Sequence, residues 1–320
     1  MDKFLSCDWG TSSFRLRLVN VADAEVCKEI FTADGIANTH QRWLKETGLR
    51  QDRLFFYLEY LLEQIMKLGE EAQMDLAGLT VILSGMASSS IGMLELPYKE
   101  LPLKIDGSDI PTHSIERSPK FPHQVIIITG ARTGDDVLRG EETLLIGCEI
   151  SDRTERSLYI FPGTHSKHIQ VVKGEAVSFK TYLTGELFDL LSTKSILSNS
   201  VERNDIPGEQ EYDFFRRGIK EGSSGNLLNV VFHVRTNQLF GKNSRTANYH
   251  YLSGLLIGAE LKDIQNPSDS IFLVSGDSLK KNYEQGFEIL GFRNSFQFIN
   301  AGKALVWGQL SIFQSLQNRI

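Results

Sequence analysis

Along the first thirty residues short apolar runs alternate with polar clusters. Phe4 to Cys7, Phe14 to Val19 and Glu25 to Phe31 predict three strands, separated by turns at Asp8 to Ser13 and Asn20 to Ala24. That order is the order of an antiparallel meander. From Gln51 to Ala72, Leu54, Leu58, Leu61, Leu62, Ile65 and Leu68 recur at three- and four-residue spacing, which predicts a helix with one buried face. Leu79 to Leu83 and Val125 to Thr129 predict buried strands that each run into a polar turn. Interleaved strands and helices of this kind make an α/β protein.

Near Ser157 the pattern begins again. Ser157 to Phe161, His168 to Val172 and Ala176 to Tyr182 predict a second meander, with a turn at Pro162 to Lys167 and a helix from Gly185 to Leu197 behind it. The first turn of each meander aligns, Gly10, Thr11 and Ser12 against Gly163, Thr164 and His165. Two like beginnings imply two like domains, expected at residues 1–150 and 151–320. The stretch from Glu202 to Asn248 is polar, with Pro207, Gly208, Gly222, Ser223, Ser224 and Gly225 as breakers, and reads as an inserted elaboration. Tyr251 to Lys262 predicts a helix whose Gly254 and Gly258 share a face that another backbone can approach. A strand at Ile271 to Val274, a turn at Ser275 to Ser278, a helix at Leu279 to Leu290, a strand at Phe296 to Ile299 and a terminal helix to Leu316 complete the reading.

Composition narrows the function classes. The chain has 320 residues, with 34 basic and 40 acidic side chains and a net charge of -6, so it lacks the basic footprint of a nucleic-acid binder. No apolar run reaches the ~18 residues that span a bilayer, so no membrane partner is expected. Cys7, Cys27 and Cys148 lack C-x-x-C spacing, which indicates neither a disulfide framework nor a zinc site. With no secretory signal pattern at the amino terminus, a reducing cytoplasm is expected. P-loop and dinucleotide fingerprints are both missing, so any nucleotide must be held by another device.

Four strings can carry chemistry. Asp8, Trp9, Gly10, Thr11 and Ser12 put a carboxylate, a permissive glycine and two hydroxyls directly after a strand. Such a turn can hold phosphate oxygens while Asp8 positions a magnesium ion through water; equally, an aspartate there is ordinary turn chemistry. Gly163, Thr164, His165, Ser166 and Lys167 repeat the donors and add a cation. Gly134 to Thr143 packs four carboxylates and Arg139 around the start of a helix, either as a solvated cap or as the source of a general base, Glu141 or Asp136. The loop Ser84, Gly85, Met86, Ala87, Ser88, Ser89 either caps a helix or offers donors to a polyhydroxylated acid. Ser275, Gly276, Asp277 and Ser278 either cap the next helix or let a purine slide against bare backbone.

In order and spacing these strings resemble the 2-keto-3-deoxygalactonate kinases, within the superfamily of sugar kinases, heat-shock proteins and actin. The resemblance rests on Asp8 to Ser12, Ser84 to Met86 with Gly92, Arg139 to Thr143, Pro162 to Lys167, Thr184 to Leu187 and Leu252 to Glu260. It implies an actin-like ATPase (ribonuclease H-like) fold, with duplicated five-stranded mixed sheets flanked by helices and an interdomain cleft. Asp8, Gly10, Thr11 and Ser12 would then fall on the first phosphate loop, Gly163 to Lys167 on the second, and Ser275, Gly276 and Ser278 on the adenosine loop. Ser84, Gly85, Met86, Ser88, Ser89 and Arg139 would meet the sugar acid. The implied reaction moves the γ-phosphoryl of ATP, with magnesium, to the 6-hydroxyl of 2-keto-3-deoxygalactonate. A homodimer is compatible with this reading. A different sugar substrate, or a nucleotide-switched scaffold, are the competing expectations. Lys303 departs from the polar or acidic residue expected near the terminal helix.

Overall fold

The structure is a computed structural model that describes residues 2–48, 50–148, 156–204, 208–264, 270–292 and 296–317. The expected boundary at residue 150 and the breaker Pro207 lie outside the described residues. The chain opens with strands β1 (Lys3–Trp9), β2 (Phe14–Asn20) and β3 (Val26–Thr32), helices α1 (Ile36–Thr47) and α2 (Arg53–Ala72), and strand β4 (Val81–Gly85). Short strands β5 (Lys99–Glu100), β6 (Leu103–Lys104) and β7 (Thr112–Ile115) precede β8 (Val125–Ile128), β9 (Ala131–Arg132), β10 (Val137–Leu138) and helix α3 (Glu141–Ile146). Then come β11 (Arg156–Phe161), β12 (Ser166–Val172) and β13 (Glu175–Tyr182). Helices α4 (Thr184–Thr193), α5 (Glu209–Ser224), α6 (Leu227–Val230), α7 (His233–Leu239) and α8 (Arg245–Leu261) follow. Strand β14 (Ser270–Ser275), α9 (Asp277–Ile289), β15 (Phe296–Asn300) and α10 (Ala301–Gln317) close the chain.

Contacts divide the chain into two compact units, one of Met1–Arg153, Val172–Ser178 and Ala301–Ile320, the other of Thr154–Val171 and Phe179–Asn300. The terminal helix therefore leaves the span 151–320 and packs in the first unit. Its fit there is steric and polar. A Cβ on Gly308 would sit 1.9 Å from the Thr143 carbonyl oxygen, and one on Gly147 would sit 1.7 Å from that of Ala304, so only bare backbone lets α10 lie on α3. Buried Gln309 donates to the Cys7 carbonyl and to Ser84 Oγ, each at 2.9 Å. Lys303 is exposed on this helix.

In the first unit the strands run β3-β2-β1-β4-β8-β7. Strands β1, β4 and β8 are parallel, and β2, β3 and β7 pair antiparallel to their neighbours. The register sets Asp8 beside Ser84 and Trp9 beside Gly85. Trp9 is fully buried, packed on Phe14, Tyr57 and Tyr60 at 4.9 to 5.3 Å, and donates from Nε1 to the Asp34 carbonyl. The end of β1 is thereby fixed. Helix α2 supplies Leu58, Leu61, Ile65 and Leu68 to the same core, and Asp52 caps it by accepting from the Leu54 amide at 2.8 Å.

The second unit repeats the order: β15-β14-β11-β12-β13 matches β8-β4-β1-β2-β3, again with three parallel strands, β11, β14 and β15. This duplicated α/β arrangement is the actin-like ATPase fold. Each five-strand set gains one strand at its edge beyond the expected five. In the first unit that is β7, and β6 pairs with Glu175 and Ala176, the part of β13 that belongs to the first unit.

The polar stretch before α8 is helical. Gly222 lies inside α5 and does not break it; with Gly218 it faces Gly254 and Gly258 of α8. A Cβ at any of the four would meet a carbonyl oxygen of the opposite helix at 2.0 to 2.3 Å. Glycines on both helices let the two backbones touch.

Candidate active site

Parallel α/β sheets place ligands at the carboxyl ends of their strands, and the turns after β1, β4, β11 and β14 sit there. In the first unit Thr11 and Ser12 are exposed at the tip of the β1–β2 turn, which Gly10 closes by donating to the Ser13 carbonyl at 2.9 Å. Helix α1 begins on this turn: the Ile36 and Ala37 amides donate to the Gly10 and Thr11 carbonyls. Gly35 approaches so closely that a Cβ would lie 2.3 Å from the Thr11 oxygen.

Asp8 is partly exposed. Desolvation raises its pKa, while Arg17 and Arg15 pull it down. Gly85, at φ +89°, passes beside it; a Cβ there would stand 2.8 Å from the Trp9 oxygen and 3.4 Å from Asp8 Oδ1. Gly140, at φ +114°, comes equally near Gly85, with its missing Cβ 3.5 Å from the Gly85 Cα. Two glycines thus bring the start of α3, with Glu141, toward Asp8. Glu141 is partly exposed and its Oε2 accepts the Arg139 amide at 3.0 Å. Asp136 accepts the Val137 amide at 2.8 Å. Glu142 is buried and accepts the Gly140 amide on both oxygens, at 2.9 and 2.8 Å.

Arg139 lies over Tyr98, its Cζ 4.1 Å from the ring centroid and its Nε donating to the Tyr98 hydroxyl at 3.2 Å, and it donates from Nη1 to the carbonyl and hydroxyl of Ser88. Ser84, Ser88 and Ser89 are all buried; Ser84 accepts from Gln309, and Ser88 is occupied by Arg139. The 3-10 turn Met86–Ser88 wraps Gly92, whose Cβ would lie 2.3 Å from the Ala87 oxygen. Gly85 is buried as well, so the partly exposed Met86 and the exposed Ser90 remain as the accessible part of that loop.

The second unit repeats the loop-on-helix contact. Gly185 packs on the β11–β12 turn, a Cβ there lying 2.5 Å from the Gly163 oxygen, and the Glu186 amide donates to the Thr164 carbonyl at 3.0 Å. Thr164 and His165 are exposed, and His165 Nε2 pairs with Glu186 at 2.5 Å. Ser166 and Lys167, expected on the turn, are already in β12 and buried; Lys167 Nζ donates to Thr181 at 2.7 Å. The turn is shorter than its polar residues suggest, because the strand continues through them.

Gly163 and Thr164 open onto a cavity of about 620 Å³ that Thr184, Phe188, Tyr249, Ser253, Ser278 and Tyr283 also line. Phe188 and Tyr249 meet edge to face at 5.0 Å. Ser275 is buried at the end of β14, and exposed Gly276 is the cap residue of α9.

A family model described as 2-keto-3-deoxy-galactonokinase matches residues 8–312. The chain belongs to this kinase family. The 2-dehydro-3-deoxygalactonokinase of Escherichia coli (strain K12) is 33% identical over 219 residues, 66% of this chain and 71% of that protein. A Rhizobium meliloti (strain 1021) relative named for the same activity, DgoK1, is 29% identical over 296 residues, 90% of each chain. A Sinorhizobium meliloti crystal structure of a protein named for that activity superposes with a TM-score of 0.80 at 26% identity, covering 98% of this chain and 96% of that one. This chain is accordingly an enzyme of the kinase class, with ATP as the phosphoryl donor that class implies. No described helix is long and apolar enough to cross a membrane.

Several residues at these turns and this cavity carry no signal of their own in the sequence. His250 lines the cavity with Tyr249 and Ser253, because α8 starts at Arg245 rather than Tyr251. The missed signal is Ser244, whose hydroxyl accepts the Ala247 amide at 3.0 Å as an N-cap. Gly35 and Tyr98 carried no local signal.

Proposed function

We propose that this kinase transfers the γ-phosphoryl of ATP to the 6-hydroxyl of 2-dehydro-3-deoxygalactonate, in the galactonate branch of galactose catabolism, as a cytoplasmic enzyme. The observation that carries it is the convergence of Asp8, Gly85 and Gly140 in the first unit, which sets a carboxylate at a phosphate-type turn next to the glutamate-bearing start of α3. The first unit supplies the first phosphate turn and the sugar-acid groups. The second supplies the other phosphate turn and the nucleoside cavity.

Each residue then has a task. Glu141 takes the proton of the attacking 6-hydroxyl, with Asp136 the other carboxylate of that turn. Arg139, held by Tyr98 and Ser88, meets the carboxylate of the sugar acid, since a stacked guanidinium presents its remaining N–H groups as a preset fork. Ser84, Gly85, Ser88 and Ser89 support that surface from beneath; Met86 faces the substrate. Gly10, Thr11 and Ser12 on one turn, and Gly163, Thr164 and His165 on the other, approach the phosphates. Ser166 and Lys167 brace the second turn from within the sheet. Ser275, Gly276 and Ser278 border the adenosine.

Magnesium fits this donor set. Among the described residues no group of three or more His, Cys, Asp and Glu could hold a metal, so no protein cage is built. One partly exposed carboxylate, Asp8, with phosphate oxygens and water, suffices for an ion that dehydrates reluctantly. When bound, the ion would offset charge on the transferred phosphoryl group.

Purified protein should consume ATP only with 2-dehydro-3-deoxygalactonate in a panel of hexonates and their 2-keto-3-deoxy derivatives, giving a 6-phosphate by phosphorus NMR. Turnover with no member of the panel would remove this reading.

A further inference from the structure

Ser166, at the start of β12, is one link in a buried hydrogen-bond chain that ends on α8. The Gly163 amide donates to Ser166 Oγ at 3.3 Å, Ser166 Oγ lies 3.1 Å from the Tyr283 hydroxyl, and that hydroxyl lies 2.8 Å from Glu260 Oε2. Glu260 is 2% exposed. Its Oε2 also takes the Thr184 hydroxyl, and its Oε1 lies 2.9 Å from His168 Nε2.

The direction of the chain follows from one group. The hydroxyls of Tyr283 and Thr184 both donate to Glu260 Oε2. The Tyr283 oxygen is then left to accept from Ser166, and Ser166 in turn accepts the Gly163 amide. A single buried carboxyl group thus orders the bonds between α8 and the turn. Gly163, Thr184 and Tyr283 line the cavity, whereas Glu260 stands behind them.

We propose that Glu260 is a positioning residue of the nucleotide site: by gathering donors from β12, α4 and α9 it holds the Gly163–Ser166 turn and the Tyr283 wall in the shape that binds nucleotide. This rests on the reading that the cavity takes the nucleotide. The effect belongs to ATP and ADP and not to the sugar acid, whose groups lie in the first unit. A purely structural role predicts lost stability with unchanged nucleotide affinity in whatever remains folded.

The test is calorimetric ADP binding to the full chain, alongside steady-state KM for each substrate. In Glu260→Gln an amide N–H₂ must face a hydrogen-bond donor, and in Tyr283→Phe the chain is cut while the ring stays. We expect ADP binding about tenfold weaker in Glu260→Gln, about 1.4 kcal/mol, and several-fold weaker in Tyr283→Phe. KM for ATP should rise in parallel and KM for the sugar acid should not. Thr184→Ser should retain ADP affinity where Thr184→Val loses it. Should Glu260→Gln fail to fold, Tyr283→Phe and the Thr184 pair decide the matter. Wild-type ADP affinity in the folded variants overturns the inference alone. A wild-type protein that binds no ADP overturns the proposed function and this inference with it.

Discussion

Two adjacent glutamates at the start of α3 are held in opposite ways. Glu141 stays partly exposed, while Glu142 is 1% exposed and accepts the Gly140 amide and the Thr143 hydroxyl. Burial first, and then the charge of Glu141, push the Glu142 carboxyl up from 4.5 to about 7. A folded-state pKa above the unfolded one means that the native protein holds this proton more tightly, so stability falls as pH rises from about 4.5 to about 7 and levels off beyond. Across that window Tm should decline more steeply in the wild type than in Glu142→Gln, which still offers an oxygen to Gly140. Equal slopes would show that Glu142 titrates normally. Glu141→Gln should keep ADP affinity and lose ~10²- to 10⁴-fold in kcat, the usual share of a general base. Full turnover would pass the role to Asp136, to be checked with Asp136→Asn.

At the scale of elements the glycine-faced crossing of α5 and α8 decides how well the cavity is built, since Ser253, Leu256 and Ile257 of α8 form part of its wall. In Gly254→Ala the new Cβ would stand 2.2 Å from the Phe215 carbonyl, a backbone atom with no rotamer to escape by, so the helices must part. We expect a loss of about 1–3 kcal/mol in urea unfolding, with weaker ADP binding; a variant as stable as the wild type would mean that the helices tolerate separation. The same crossing marks the limit of what the residues disclose on their own. Both meanders were legible because alternation is a local signal, and so was the glycine face of α8. Gly222 read as a breaker because a lone helical glycine is costly, and only the partner helix shows what it makes room for. Lys167 read as a turn cation because charge favours the surface; pairing with Thr181 inside the sheet is a long-range fact.

For the whole molecule, chain order and spatial order disagree at the carboxyl terminus. Length and the repeated meander point to two halves, yet nothing local in Ala301–Gln317 says that this helix packs with residues three hundred positions earlier. The link is a set of distant complementarities. Gln309 satisfies the Cys7 carbonyl and Ser84, Phe313 stacks on Phe4 at 6.2 Å, and Gly308 clears Thr143. Asp8 and Gly85, next to Cys7 and Ser84, thus depend on the last helix for their footing. A fragment of residues 1–153 would expose the buried Phe4 and Gly147 surfaces and leave the Cys7 carbonyl and Ser84 without Gln309, a combination of lost packing and unpaired polar groups that a domain of marginal stability does not survive. Such a fragment should show no cooperative urea transition by circular dichroism, and co-expression with residues 154–320 should restore one. Cooperative unfolding of residues 1–153 alone would show that the first unit stands without α10, and that the carboxyl-terminal helix is not what holds the end of β1 beside β4.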